Sequence, residues 1–81
     1  MRVIKEKEFS LNNIQYIARV FIPEGKTTHY GEIVYKNNGQ RPENKMKDIV
    51  RQYLMQFNVE ISADSNVMTT HKAVRLLMRY I

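Results

Sequence analysis

The stretch ENKMKDIVRQYLMQF, Glu43 to Phe57, decides the fold of this chain. Met46, Ile49, Val50, Tyr53, Leu54 and Phe57 recur at intervals of three and four residues, which lines them along one face of an α-helix. The other face carries Lys45, Lys47, Asp48, Arg51 and Gln52, so the spacing predicts a helix over 43–57 with one buried stripe and a mostly basic side in water. So short a helix draws its stability from packing, and the rest of the chain has to supply the second apolar layer.

Upstream, IQYIARVFI (Ile14 to Ile22) alternates strictly, with Ile14, Tyr16, Ala18, Val20 and Ile22 on one side and Gln15, Ile17, Arg19 and Phe21 on the other. This predicts a strand. Pro23, Glu24 and Gly25 carry the turn chemistry of a hairpin loop of about three to five residues. Thr27 to Lys36, rich in β-branched and aromatic residues, is the expected return strand. One of its faces holds His29, Gly31, Ile33 and Tyr35, the more apolar choice, and the other Tyr30, Glu32, Val34 and Lys36. Residues 2 to 9, with Val3, Ile4 and Phe9 among alternating charges, suit an edge strand protected by its lysines. Ser10 to Asn13 reads as the turn that follows, because asparagine tolerates left-handed backbone angles.

Downstream of the strands, Asn37 to Pro42 breaks the pattern, and Pro42 suits the first turn of the coming helix. Asn58 is a candidate left-handed residue at its end. Val59 and Ile61 flank Glu60, which predicts a short fourth strand. A second helix is expected to start between Asp64 and Thr70 and to run to the C-terminus, with Ala73, Val74, Leu76, Leu77, Met78, Tyr80 and Ile81 as its apolar positions. Met46, Met55, Met68 and Met78 read as gap-filling core or interface residues at helix faces. The expected architecture is α+β: an antiparallel three-stranded β-meander followed by a helix, a short strand and a C-terminal helix, packed on one sheet face.

Eighty-one residues suffice for a single domain, spanning 1–81, in which folding buries roughly 60% of the unfolded surface. A core this small makes a homodimer the expected state. The absence of cysteine excludes a disulfide framework and thiolate metal sites, and a cytoplasmic location fits. Arg2, Lys5, Glu6, Lys7 and Glu8 leave no apolar core for a secretory signal, and no run approaches the ~18 apolar residues of a membrane span.

Thirteen Lys and Arg against eight Asp and Glu give a net charge of +5, which favours polyanionic partners. Lys72, Arg75 and Arg79, with His71 beside them, form the most suggestive ridge, because cations one helical turn apart can meet successive phosphates. Their plain alternative is complementing a helix dipole, which suits Arg79 better than Lys72. A second basic group comprises Lys36, Arg41, Lys45, Lys47 and Arg51, with Glu43 and Asp48 interspersed. Arg19 stands among Ile17 and Phe21, with Tyr30 and Val34, on a sheet face that could stack bases, meet a partner or lie under the last helix.

His29 and His71 are the only histidines, and neither has metal spacing nor a carboxylate neighbour in sequence. No catalytic residue, metal ligand or cofactor is therefore assigned. The leading expectation is a small basic regulatory module that binds nucleic acid, RNA first, through charge and shape. The alternative is a regulatory or inhibitor protein docking on a protein partner, of the size found among phage- or toxin-system modulators. The third is a metal-free ribonuclease.

Overall fold

The computed structural model describes residues 1–61 and 69–81. Three strands, β1 (Arg2–Leu11), β2 (Ile14–Ile22) and β3 (Tyr30–Tyr35), form an antiparallel meander in the order β1-β2-β3. Two helices, α1 (Met46–Met55) and α2 (Thr70–Leu77), cover one face of it. The α+β architecture read from the sequence is the one observed.

The register sets which residues reach the core. Tyr16, Ala18 and Val20 stand opposite Tyr35, Ile33 and Gly31 on β3 and opposite Phe9, Lys7 and Lys5 on β1, so all nine share the helix-covered face. Phe9, Tyr16, Ala18, Val20 and Ile33 join Ile49, Val50 and Leu54 of α1 and Ala73, Val74 and Leu77 of α2 in one buried cluster. The Ile33 and Tyr35 side of β3 is thus the inward one. Phe9, stacked on Tyr16 and edge-on to Tyr53, ties α1 to the first hairpin.

The turns follow backbone chemistry. Asn12 and Asn13 both take positive φ, 52° and 66°, the requirement of a two-residue hairpin turn whose twist matches its strands. Asn58 is left-handed at φ 59°, and Asn58 N–H donates to Met55 O while Val59 N–H donates to Leu54 O, closing α1 with a Schellman pattern.

Several expectations need correction. Helix α1 begins at Met46 and not near Glu43, because Asn44 sits at φ 61°, a conformation no helix continues through. Pro42 is accordingly outside the helix, buried in the turn where Lys45 N–H donates to its carbonyl. Strand β3 starts at Tyr30 and not Thr27, since Pro23 ends β2 at Ile22 and the β2–β3 register sets Thr28 and Thr27 opposite Pro23 and Glu24, beyond the strand. Val59 and Ile61 pack half-buried against the core as irregular chain, so the expected fourth strand is not found among the described residues. Thr69 caps α2, its hydroxyl accepting from Lys72 N–H at 3.2 Å; Asp64 and Met68 lie outside the described residues. The helix stops at Leu77, and the chain beyond turns so that the Lys7 ammonium donates to the carbonyls of Ile81 at 3.0 Å and Met78 at 3.4 Å. Met55, read as a core or interface residue, is 63% exposed and no part of the core, whereas Met78 is buried and the Met46 sulfur accepts from Ile33 N–H.

Helix α2 lies close on the sheet because residue 31 is glycine. A Cβ there would stand 2.7 Å from Val74 Cβ and 3.0 Å from the His71 carbonyl oxygen, and neither is a flexible chain end. Gly31→Ala should therefore cost about 1–3 kcal/mol by overpacking, read as a lower urea midpoint with an unchanged slope. A second test concerns pH. Burial, and then the neighbouring Tyr35, hold the Tyr16 phenol above its ordinary value of 10.0. The folded form therefore ionises later than the unfolded one: stability is complete below about pH 10 and declines as pH climbs towards the folded value. Equilibrium unfolding of Tyr16→Phe should lose less stability over that alkaline range than the unsubstituted protein.

Candidate anion-binding cleft

Strand β1 contains a bulge: Val3 pairs with Phe21 and Lys5 with Val20, leaving Ile4 as the extra residue. A bulge interrupts alternation and re-aims side chains, and here both Ile4 and Lys5 line a cleft beside α2. That cleft is open to solvent, with a volume of about 610 Å³. Its apolar lining comes from Ile4, Val20, Leu76 and Met78, and its polar lining from Lys5, Lys72, Arg75, Arg79 and His29. None of the described residues lining it is acidic.

The ridge read from the sequence is thus assembled on one exposed side, with two changes. Arg79 lies past the end of α2 in the following turn, its N–H on Leu76 O, yet it still faces the same cleft as Lys72 and Arg75. His71 points away. Its ring packs on Tyr30 with centroids 4.4 Å apart, and Nδ1 lies 3.1 Å from both the amide nitrogen and the carbonyl oxygen of Gly31. With the ring proton on Nε2, Nδ1 accepts from the amide; with it on Nδ1, the ring donates to the carbonyl. Either way His71 fastens the start of α2 to β3, and it is His29 that reaches the cleft.

The remaining cations read as site residues go elsewhere. Arg19 sits between two carboxylates on the sheet face away from the helices, donating to Glu6 at 2.8 Å and to Glu32 at 2.9 Å. Arg41 comes over from the loop to the other oxygen of Glu32, at 2.7 and 2.9 Å. The Arg19 guanidinium is held above its ordinary value chiefly by its hydrogen bond to Glu6, with Glu32 adding to this and partial burial opposing it. Lys36 pairs with Glu8 at 3.0 Å, and Arg51 with Asp48 one turn back on α1 at 3.0 Å. Lys45 is exposed at the start of α1 and Lys47 half-buried within it; neither lines the cleft. Phe21 and Val34 are 6% and 4% exposed, so the outer sheet face offers no open stacking platform at those two positions.

Lys5, Ile4 and His29 were missed as site residues. Strand alternation sends Ile4 and Lys5 to opposite faces, and only the bulge brings them together. Among the described residues, no group of three or more His, Cys, Asp or Glu side chains is placed to hold a metal ion, and no helix is long and apolar enough to cross a membrane. Comparison with protein-family models, curated proteins and solved structures found no match.

Glu32 is 5% exposed and carries two guanidiniums, so neutralising it strands charge in a low-dielectric position. Glu32→Gln should destabilise the fold by about 1–3 kcal/mol, because Arg41 remains open to solvent and part of the loss is screened. Glu8→Gln, which breaks the exposed pair with Lys36, should cost at most about 0.5 kcal/mol in the same denaturation series.

Proposed function

We propose that this chain is a small nucleic-acid-binding module that holds RNA through the cleft between α2 and the bulged end of β1. One observation carries the reading: Lys5, Lys72, Arg75 and Arg79 converge on a cleft whose described lining has no carboxylate, while Arg19, Lys36, Arg41 and Arg51 each have an acidic partner. Four like charges around one concavity repel each other, and an anion seated among them relieves that repulsion. The helix dipole accounts for part of the set. Arg75 in the last turn and Arg79 beyond it complement the negative end of α2, worth about 0.3–1 kcal/mol each. Lys72 is in the first turn, the positive end, and the turn itself holds no acidic residue, so the dipole does not account for its position.

Binding is favoured over turnover by the placement of the histidines. His71 is engaged with Gly31 and Tyr30, so a ribonuclease of this geometry would have to work with the single imidazole of His29 for both proton transfers.

Replacing Lys72, Arg75 and Arg79 with Gln keeps good helix formers and removes three charges from an exposed side. If each meets a phosphate of single-stranded RNA, the plot of log affinity against log salt should flatten by about two units at ~0.7 per contact. Weakening should be similar for unrelated sequences, because phosphate contacts position without specifying. The control pair Lys36→Gln with Arg51→Gln should leave the salt slope nearly unchanged. A triple variant with full affinity and an unaltered slope would overturn the assignment.

A further inference from the structure

We infer that the cleft receives an unpaired nucleotide, its base on the apolar lining and its neighbouring phosphates on the cationic side chains. The inference rests on the RNA-binding reading and adds which form of nucleic acid is taken. A surface made only for duplex phosphates needs charge and no apolar lining, since in a duplex each base face is covered by its neighbours. Here the charges line the same cleft as Val20 and Met78, 8% and 4% exposed, together with Leu76 and an Ile4 that is 46% exposed at its bulge. Ile4 is the telling residue. A branched aliphatic chain left nearly half in water at the mouth of a cationic cleft gains most from a ligand that brings its own apolar face. A base in a single strand has such a face, and imidazole and guanidinium planes like those of His29, Arg75 and Arg79 are recurrent stacking partners for it.

Dimensions agree. The open cleft's volume of about 610 Å³ falls within the roughly 300–1,000 Å³ of ligand-holding clefts. Lys72 to Leu77, the end of α2, spans roughly 7.5 Å at ~1.5 Å per residue, and Arg79 follows in the turn beyond, a run of cations that matches about two consecutive phosphates of one strand at ~3.4 Å each.

Fluorescence anisotropy of the full chain should be measured with three labelled probes of equal length: an eight-nucleotide single strand, the same strand in a duplex, and an abasic strand with the same phosphates. The single strand should bind about tenfold or more tightly than either, the scale of one stacked base. Ile4→Ser, on an exposed side chain the fold does not depend on, should lower affinity for the intact strand about tenfold, spare the abasic strand, and leave the salt slope as it was. Equal binding of all three probes, with the slope still sensitive to Lys72, Arg75 and Arg79, would overturn the nucleotide inference while keeping the RNA reading. No binding of any probe would remove both. Displacement of the strand by a hexaglutamate peptide at equal concentration would assign the cleft to an acidic protein segment instead.

Discussion

The close approach of α2 to β3 at Gly31 is the constraint on which the rest of the molecule depends. Val74 can sit over the sheet only where no side chain rises to meet it, and His71, one turn earlier, anchors to the backbone of that same glycine. These two contacts fix both the height and the rotation of the helix. Once Ala73, Val74 and Leu77 face inward, Lys72, Arg75 and Arg79 have to face out, towards the bulged end of β1. The cationic lining is therefore a consequence of core packing on the far side of the same helix. The Lys7 ammonium holds the carbonyls that follow α2 and so keeps the turn bearing Arg79 over the sheet.

Charge is sorted by topology. On the face of the sheet away from the helices, cross-strand neighbours alternate in sign, Glu6 beside Arg19 beside Glu32, with Arg41 closing the row from the loop. These pairs hold strands together and leave little attraction for an outside anion. On the helix side, Lys5 has no acidic residue opposite it, because its partners across the sheet are Val20 and Gly31. A net charge of +5 spread evenly would mean little; the same charge with Glu6, Glu8 and Glu32 on the outer sheet face, and no acid among the described residues lining the cleft, gives the molecule a direction.

The hairpins, the two helices and the alternation of each strand were legible in the sequence because they rest on period and turn chemistry, which are local; which face of the hairpin turns inward was not, beyond the more apolar Ile33 and Tyr35 side of β3, because both faces of β2 carry apolar residues. Met46, Ile49, Val50 and Leu54 announce their helix without reference to anything else. The helix start was misjudged because Asn44 can adopt either helical or left-handed angles, and the surrounding turn chooses between them. The site was legible in part. Lys72, Arg75 and Arg79 follow from helical spacing, but the acids that occupy Arg19, Arg41 and Lys36 lie nine to twenty-eight positions away and meet them only through strand register and the loop after β3. The bulge at Ile4 left no local mark, since Val3, Ile4 and Lys5 read as ordinary strand residues.

Strand β3 has its outward amides closed by three different elements: Gly31 N–H meets His71 Nδ1, Ile33 N–H meets the Met46 sulfur, and Tyr35 N–H meets the Gln40 carbonyl. That leaves ten-residue β1 as the other edge of the sheet. Its charges run Lys5, Glu6, Lys7, Glu8, one sign to each face. If two copies joined these edges antiparallel into one continuous sheet, residues of equal parity would stand opposite, lysine against lysine on one face and glutamate against glutamate on the other. The mismatch is built in by symmetry, for no shift of register that preserves the faces can turn like pairs into unlike ones. The chain thus carries a long edge strand, unpaired on its outer side among the described residues, that is self-repelling towards its own kind, a safeguard against runaway sheet growth at no cost to the sheet it belongs to.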